Sequence, residues 1–253
     1  MNLNCKGTLI NITTPKVMGI LNITPESFYD GGNLTNERLI LAQAEKMLKQ
    51  GATLLDIGGH SSRPGANEVS EKEELQRVVP AIEAILKQFP EALISIDTFR
   101  SEIVKKSVEA GAVMVNDISA GNLDSNMMKT VAQLKVPYVM MHMKGNPKTM
   151  VSLSEYKNVT KEVLFYFSEK LAEARTLGMN DVIVDPGFGF AKTRHHNFEL
   201  LNHLELFTSL EVPLLVGISR KSMIYKTLQT TPKEALNETT ALHSIALLKG
   251  ASI

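Results

Sequence analysis

The sequence predicts an α/β fold, a (β/α)8 TIM barrel with a short N-terminal β-hairpin, and three observations predict it. Short, continuously apolar runs alternate with longer amphipathic segments from Val17 onward. That is the pattern of strands buried on both faces beneath helical crossovers. Nearly every run ends in a polar side chain, and in a barrel those carboxyl ends converge on one face. The chain of 253 residues also has the length of a single barrel domain, so residues 1–253 are expected to form one domain. The structural rival is a doubly wound open sheet. It needs a glycine-rich turn after its first strand, which Leu21-Asn-Ile-Thr-Pro25 does not supply.

Residues 3–12 alternate like a short hairpin strand and are expected to plug the bottom of the barrel. Strands are predicted at 17–21, 53–57, 93–96, 113–115, 138–141, 182–184 and 214–216. Helices are predicted at 37–50, 71–88, 101–110, 125–134, 155–177, 195–207 and 235–249. Gly51, Gly111 and Gly178 follow helices, where a left-handed residue is useful, and each precedes a strand. Pro80 lies inside a helical segment and is expected to kink it. After seven strand–helix units the chain stops at Gly250-Ala-Ser-Ile253, which reads as the start of an eighth strand. The C-terminal end of the barrel is therefore expected to be truncated.

Composition narrows the function classes. Lys+Arg and Asp+Glu are equal at 27 each, and no basic block is present. Nucleic acid and anionic membrane are thus poor candidates for the main partner. Cys5 is the only cysteine, so no intrachain disulfide can form and a reducing compartment is the simple reading. The first residues lack the charged-then-apolar layout of a signal peptide, and no apolar run approaches a membrane span. A soluble, cytoplasmic protein is expected.

The strand ends carry Asn22, Asp56, Asp97, Asn116, His142, Asp185 and then Ser219-Arg220-Lys221. Any one of these could be a helix cap or turn residue. As a set they would leave costly polar groups in a partly buried bowl unless a ligand met them. Asp97, Asn116 and Asp185 supply carboxylate acceptors and a two-way amide, which suits a flat heterocycle with an amidine-like edge. Arg63, Arg220 and Lys221 follow strands and suit an anion such as phosphate. The loop Asp56-Ile-Gly-Gly-His-Ser-Ser-Arg-Pro-Gly65 adds hydroxyls and a cation on a glycine-rich scaffold. Asp185-Pro-Gly-Phe-Gly-Phe-Ala-Lys192 is close to a nucleotide fingerprint but lacks its third glycine, and no Walker-type lysine loop is present. The six histidines have no paired metal-ligand spacing, which argues against zinc. His195 and His196 read as a helix start, and Met140, Met141 and Met143 as packing.

Taken together these stretches closely resemble the dihydropteroate synthases, the folate-pathway transferases that sulfonamide drugs inhibit. The resemblance runs from about Val17 to the carboxyl end. It is carried by Met18-Gly-Ile-Leu-Asn-Ile-Thr-Pro-Glu-Ser-Phe-Tyr-Asp-Gly-Gly32, Asp56-Ile-Gly-Gly59, Ser61-Ser-Arg-Pro-Gly65 and Ser95-Ile-Asp-Thr98. It continues in Val115-Asn-Asp-Ile-Ser119, Met141-His-Met143, Asp185-Pro-Gly-Phe-Gly-Phe190 and Gly217-Ile-Ser-Arg-Lys-Ser222. Several long motifs in order are far more specific than any one of them.

The resemblance implies an enzyme that joins p-aminobenzoate to 6-hydroxymethyl-7,8-dihydropterin diphosphate and releases pyrophosphate. It implies that Asp97, Asn116, Asp185 and Lys221 hold the pterin. Asn22 would bind the Mg²⁺ that chelates the diphosphate, with Ser62 and Arg63 on the anion. Phe28, Pro64, Phe190 and Ser222 would surround p-aminobenzoate, and Asp30 would face the positive charge formed at the pterin methylene. Asn22, Asp30, Arg63 and Lys221 form the implied catalytic set, and the family implies a homodimer using late helices. The elementary chemistry agrees. An arylamine is already neutral and nucleophilic, so the harder task is losing pyrophosphate, and an S_N1-like path with cations on the leaving group fits the inventory.

Three departures stand out. His60 occupies a position where many relatives have an acid, and Tyr29 replaces a smaller residue. The family also places an Arg and a His, one residue apart, on its eighth strand, followed by a last helix, and neither follows Ile253. An open barrel would expose a sheet edge and core, so a truncated chain is the expectation. Two rival functions share parts of the pattern. A methyltetrahydrofolate-binding methyltransferase would use the Asp97, Asn116 and Asp185 logic without the anion group or a metal at Asn22. A catalytically silent pterin-binding protein would not need the early loops.

Overall fold

The computed structural model describes residues 1–23, 34–60 and 69–253. It begins with β1 (Asn2–Cys5) and β2 (Thr8–Asn11), an antiparallel hairpin. The two-residue connection Lys6-Gly7 has positive φ at both positions, 50° and 97°, the backbone that matches the twist of a tight hairpin. Alternation sends Leu3, Cys5, Ile10 and Ile12 inward against Leu54, Met114, Val139, Ile183 and Leu215. These five come from different barrel strands, so the hairpin does plug the bottom, and each fully buried aliphatic side chain contributes about 1.5–3 kcal/mol.

Six parallel strands follow in sequence order: β3 (Met18–Asn22), β4 (Leu54–Gly58), β5 (Leu93–Asp97), β6 (Met114–Asp117), β7 (Tyr138–Met141) and β8 (Val182–Asp185). The crossovers are α1 (Leu34–Lys49), α2 (Glu71–Gln88), α3 (Ser101–Glu109), α4 (Met127–Leu134) and α5 (Val159–Thr176). After β8 come α6 (Arg194–Asn202), α7 (Ser222–Tyr225) and α8 (Leu236–Leu248). The predicted seventh strand is present as main-chain pairing: Val184 N–H donates to Pro213 (3.0 Å) and Leu215 N–H to Val184 (2.9 Å). The last residues lie beside it, with Ser252 N–H on Leu214 (2.8 Å) and Val216 N–H on Ile253 (3.0 Å). Lys16 N–H then reaches Ser252 at 2.9 Å, so the ring closes at its amino-terminal rim.

Local chemistry explains where the helices depart from the predicted bounds. The fourth helix starts at Met127 because Asp124 Oδ1 takes the Asn126 N–H (2.9 Å) in a tight turn. The fifth waits for Asn158, whose side chain caps Lys161 N–H at 2.8 Å. His196 does belong to a helix start: it completes a reciprocal cap with Thr193. The segment predicted at 195–207 divides into α6 and a 3₁₀ turn, Leu204–Leu210. Pro80 sits within α2, which runs unbroken through it. Among the described residues, no helix is long and apolar enough to cross a membrane.

Candidate active site

Parallel pairing sets the strand ends in a row. Asn22 lies opposite Gly58, Gly58 opposite Asp97, and Asp97 opposite Asn116. A Cβ on Gly58 would lie 3.3 Å from Asn22 Oδ1 and 3.4 Å from Asp97 Oδ2, so the absent side chain is what lets these two groups share one space. Asp56, two residues before Gly58, faces the same side one layer deeper. Asn116 Nδ2 donates to Asp56 Oδ2 at 2.9 Å.

The electrostatics mark this layer as strained. Burial pushes the Asp56 carboxyl up, with the neighbouring Ser95 hydroxyl and the Asn116 amide opposing. Asp97 is pushed up to about 7, by burial first and by the Asp56 carboxylate second, with His60 opposing. Asp56 Oδ1, Asp97 Oδ1 and Ser95 Oγ are buried without a hydrogen-bond partner. Buried acceptors left unmet are costly, and a flat ligand edge carrying N–H groups would satisfy them.

The opposite wall is the segment after β8. Asp185 Oδ1 accepts the Gly187 N–H at 2.8 Å. Lys221 Nζ donates to the Phe188 carbonyl and lies 4.7 Å from the centre of the Phe190 ring. Burial lowers the Lys221 ammonium to about 8, with Asp185 opposing. Ser222, the first residue of α7, is exposed beside it. Gly187 has φ +72°, and a Cβ there would meet the His142 carbonyl oxygen at 2.2 Å, so only glycine fits.

Not every polar strand-end residue belongs to the site. Asp117 is fully buried and takes bonds from Tyr138 Oη (2.6 Å), Ser119 N–H (2.8 Å) and Gly121 N–H (2.7 Å). Its role is to order the turn after β6. Arg220, expected to face an anion, donates instead to the carbonyls of Pro232 (3.2 Å) and Lys233 (3.1 Å). Phe28, Asp30, Ser62, Arg63 and Pro64 lie outside the described residues.

Comparison with known proteins decides among the readings. The family model described as pterin binding enzyme matches residues 18–253. The dihydropteroate synthase of Escherichia coli K12 is 45% identical over 100% of this chain and 90% of its own. Similar solved structures include the Yersinia pestis dihydropteroate synthase in a sulfonamide complex (41% identity, TM-score 0.92, covering 99% of this chain and 91% of that one). Another is the Xanthomonas albilineans dihydropteroate synthase with 4-aminobenzoic acid (39%, TM-score 0.91, 99% and 90%). The chain belongs to the dihydropteroate synthase family. It is a transferase of folate biosynthesis.

In this dihydropteroate synthase family member further side chains brace the walls of the candidate site, and of these sequence reasoning had singled out His60 alone. Glu74 of α2 is fully buried and accepts from Thr98 Oγ1 (2.7 Å) and Arg100. His60 Nδ1 stands 3.4 Å from Glu74 Oε1, and the ring packs edge-on to Phe99. Burial lowers the His60 imidazole, but Glu74 and Asp97 outweigh it and the net shift is upward. At this position the chain thus places a cation-forming group between two carboxylates. Arg77 Nη1 holds the Gly59 carbonyl (2.8 Å) and Arg100 Nη2 the Val69 carbonyl (2.7 Å). Asn197 of α6 receives the Gly189 N–H at 2.7 Å and donates to the Thr193 carbonyl at 2.7 Å. A signal for Asn197 existed: it falls on the same helical face as Leu200 and Leu201, where a polar residue needs partners.

Proposed function

We propose that residues 1–253 act as one domain that binds 6-hydroxymethyl-7,8-dihydropterin diphosphate deep in the barrel and p-aminobenzoate nearer the rim. The observation that carries this reading is the buried, unmet Asp97 carboxylate beside Asn116, facing the Asp185 and Lys221 wall. Asp97, Asn116 and Asp185 hold the pterin edge, and Lys221 donates to the pterin from the other side. Phe190 and Ser222 contact p-aminobenzoate together with Phe28 and Pro64. The 4-aminobenzoic acid named with the Xanthomonas relative and the sulfonamide named with the Yersinia relative support that second subsite.

Asn22 fits a magnesium ion in one specific way. Among the described residues no group of three His, Cys, Asp or Glu could hold a metal. Magnesium keeps several waters and needs only one or two protein oxygens beside substrate phosphates, so one half-buried amide oxygen at an open strand end suffices. When bound there, magnesium supplies charge neutralisation of the leaving diphosphate.

Pyrophosphate departs with the electron pair of its bond to the pterin methylene. The Asp97 and Asp185 carboxylates stabilise the cation left behind, with Asp30 assigned to the methylene itself. Ser62 and Arg63 hold the leaving anion. The neutral arylamine nitrogen then forms the new C–N bond and gives up its proton. No strong general base is required.

The exposed apolar side chains of α8, Leu236, Ile245, Leu247 and Leu248, support a homodimer through this late helix. The test of the function is pyrophosphate release from the dihydropterin diphosphate with Mg²⁺, with and without p-aminobenzoate. Release that depends on p-aminobenzoate is the expected result. Release that ignores it would leave a hydrolase, and none at all would leave a binding protein.

A further inference from the structure

Lys192 is buried, and its Nζ meets four acceptors: His142 Nδ1 (2.9 Å), the Gly187 and Phe190 carbonyls (3.0 Å each) and the His142 carbonyl (3.2 Å). Among the described residues it forms no ion pair within contact distance. Burial lowers this amine well below the usual lysine range, and carbonyls and one imidazole hold it, which is expensive unless the geometry it enforces is useful. The Gly187 and Phe190 carbonyls belong to the segment that carries the Phe190 ring, the His142 carbonyl ties that segment to the end of β7, and the Phe188 carbonyl anchors Lys221. That segment takes left-handed φ at Gly187 (72°), Gly189 (82°) and even Ala191 (50°). A left-handed alanine is uncommon and persists only when its surroundings over-determine it. Tyr156 Oη on the Ala191 carbonyl (2.9 Å) and Lys192 Nζ on the Phe190 carbonyl just before it do so.

We propose that Lys192 is a positioning residue for the p-aminobenzoate subsite: its Nζ gathers the His142, Gly187 and Phe190 carbonyls and so fixes the Phe190 ring against Lys221. This rests on the assignment of Phe190 to p-aminobenzoate above. Of the pterin ligands, Asp97 and Asn116 stand on strands that Lys192 does not touch, while Asp185 and Lys221 border the segment it holds, so its loss bears harder on p-aminobenzoate than on the pterin. The clamp also requires His142 to keep Nδ1 unprotonated as an acceptor.

The test is Lys192→Met in the full chain, assayed beside the unaltered protein. The KM for p-aminobenzoate is expected to rise about tenfold or more, as misplaced binding groups do, while the affinity for 6-hydroxymethyl-7,8-dihydropterin stays within about threefold. Placed in a Phe190→Ala background, Lys192→Met should change that KM little, because its effect passes through the ring. An unchanged KM, an equal loss for both substrates, or full additivity in the double variant would each overturn the proposal. If Lys192→Met does not fold, the ¹⁵N spectrum of His142 in the unaltered protein decides. Unprotonated Nδ1 near neutral pH is expected, and an Nδ1–H tautomer would sink the clamp. Absence of p-aminobenzoate-dependent turnover in the unaltered protein would instead count against the function, with the His142 signal still testing the clamp.

Discussion

Asn116 Nδ2 donates to Asp56 Oδ2 past the intervening strand β5 at 2.9 Å, so the amide assigned to the proposed pterin subsite is oriented by a buried carboxylate. The bond uses one N–H of the Asn116 amide and leaves its second N–H and its oxygen for other partners. It also holds Asp56 in place, whose other oxygen, Oδ1, has no hydrogen-bond partner. Asn116→Ala should therefore weaken dihydropterin binding by about tenfold to a hundredfold, since a buried charged partner is left exposed to loss. Calorimetric titration with 6-hydroxymethyl-7,8-dihydropterin measures this, and unchanged affinity would put the pterin elsewhere.

Asp97 carries a cost when no ligand is bound. Its carboxyl is pushed up to about 7, above the ordinary value of 3.8, so the folded protein holds this proton more tightly than the unfolded chain. Stability from this group is greatest below the unfolded value and is lost as pH rises toward 7. Asp97→Asn should accordingly raise Tm at neutral pH while abolishing measurable pterin binding, because it replaces an acceptor with a donor. In the unaltered protein, pterin affinity should fall as pH drops below about 7. Thermal unfolding at several pH values, set beside binding, checks both signs; a lower Tm for Asp97→Asn would contradict the argument.

Lys221 works in the opposite direction. Burial lowers its ammonium to about 8, so it is charged below that pH and neutral above it. Because the unfolded chain holds this proton more tightly, the group's penalty on stability is relieved as pH rises from about 8 to 10.5. Activity should instead decline through the same lower bound as the charge disappears. Lys221→Ala should weaken both substrates and remove the alkaline limb from the kcat/KM profile. A limb that survives the substitution would assign it to another group.

Gly58 separates folding from function. A Cβ there meets only the ends of the Asn22 and Asp97 side chains, at 3.3 and 3.4 Å, and its φ is not in the left-handed region. Gly58→Ala should fold with a Tm within about 4 °C of the parent, which corresponds to roughly 1 kcal/mol or less, yet lose at least about tenfold in kcat/KM. By contrast, Gly187→Ala would strike the His142 carbonyl at 2.2 Å and should not give soluble folded protein. Circular dichroism melts and steady-state kinetics on the Gly58 variant distinguish the two effects.

Much of this molecule was legible one residue at a time. Alternating apolar runs and amphipathic segments specify a parallel barrel because each run must be buried on both faces, and β3 through β8 fall within a residue or two of the predicted runs. Asn22, Asp97, Asn116, Asp185 and Lys221 were readable as candidates for one site because they end or closely follow those runs, and strand ends of a barrel share one face. The choice between neighbours was not. Asn116 faces the site while Asp117 orders a turn, since strand parity depends on register with β5 and β7. Arg220 turned to the Pro232 and Lys233 carbonyls, and Lys192 and Asn197 became clamps, because their partners lie on other elements. Periodicity along a chain reports burial, which is local. Which polar groups meet inside is decided by distances between strands and loops that only the closed barrel sets.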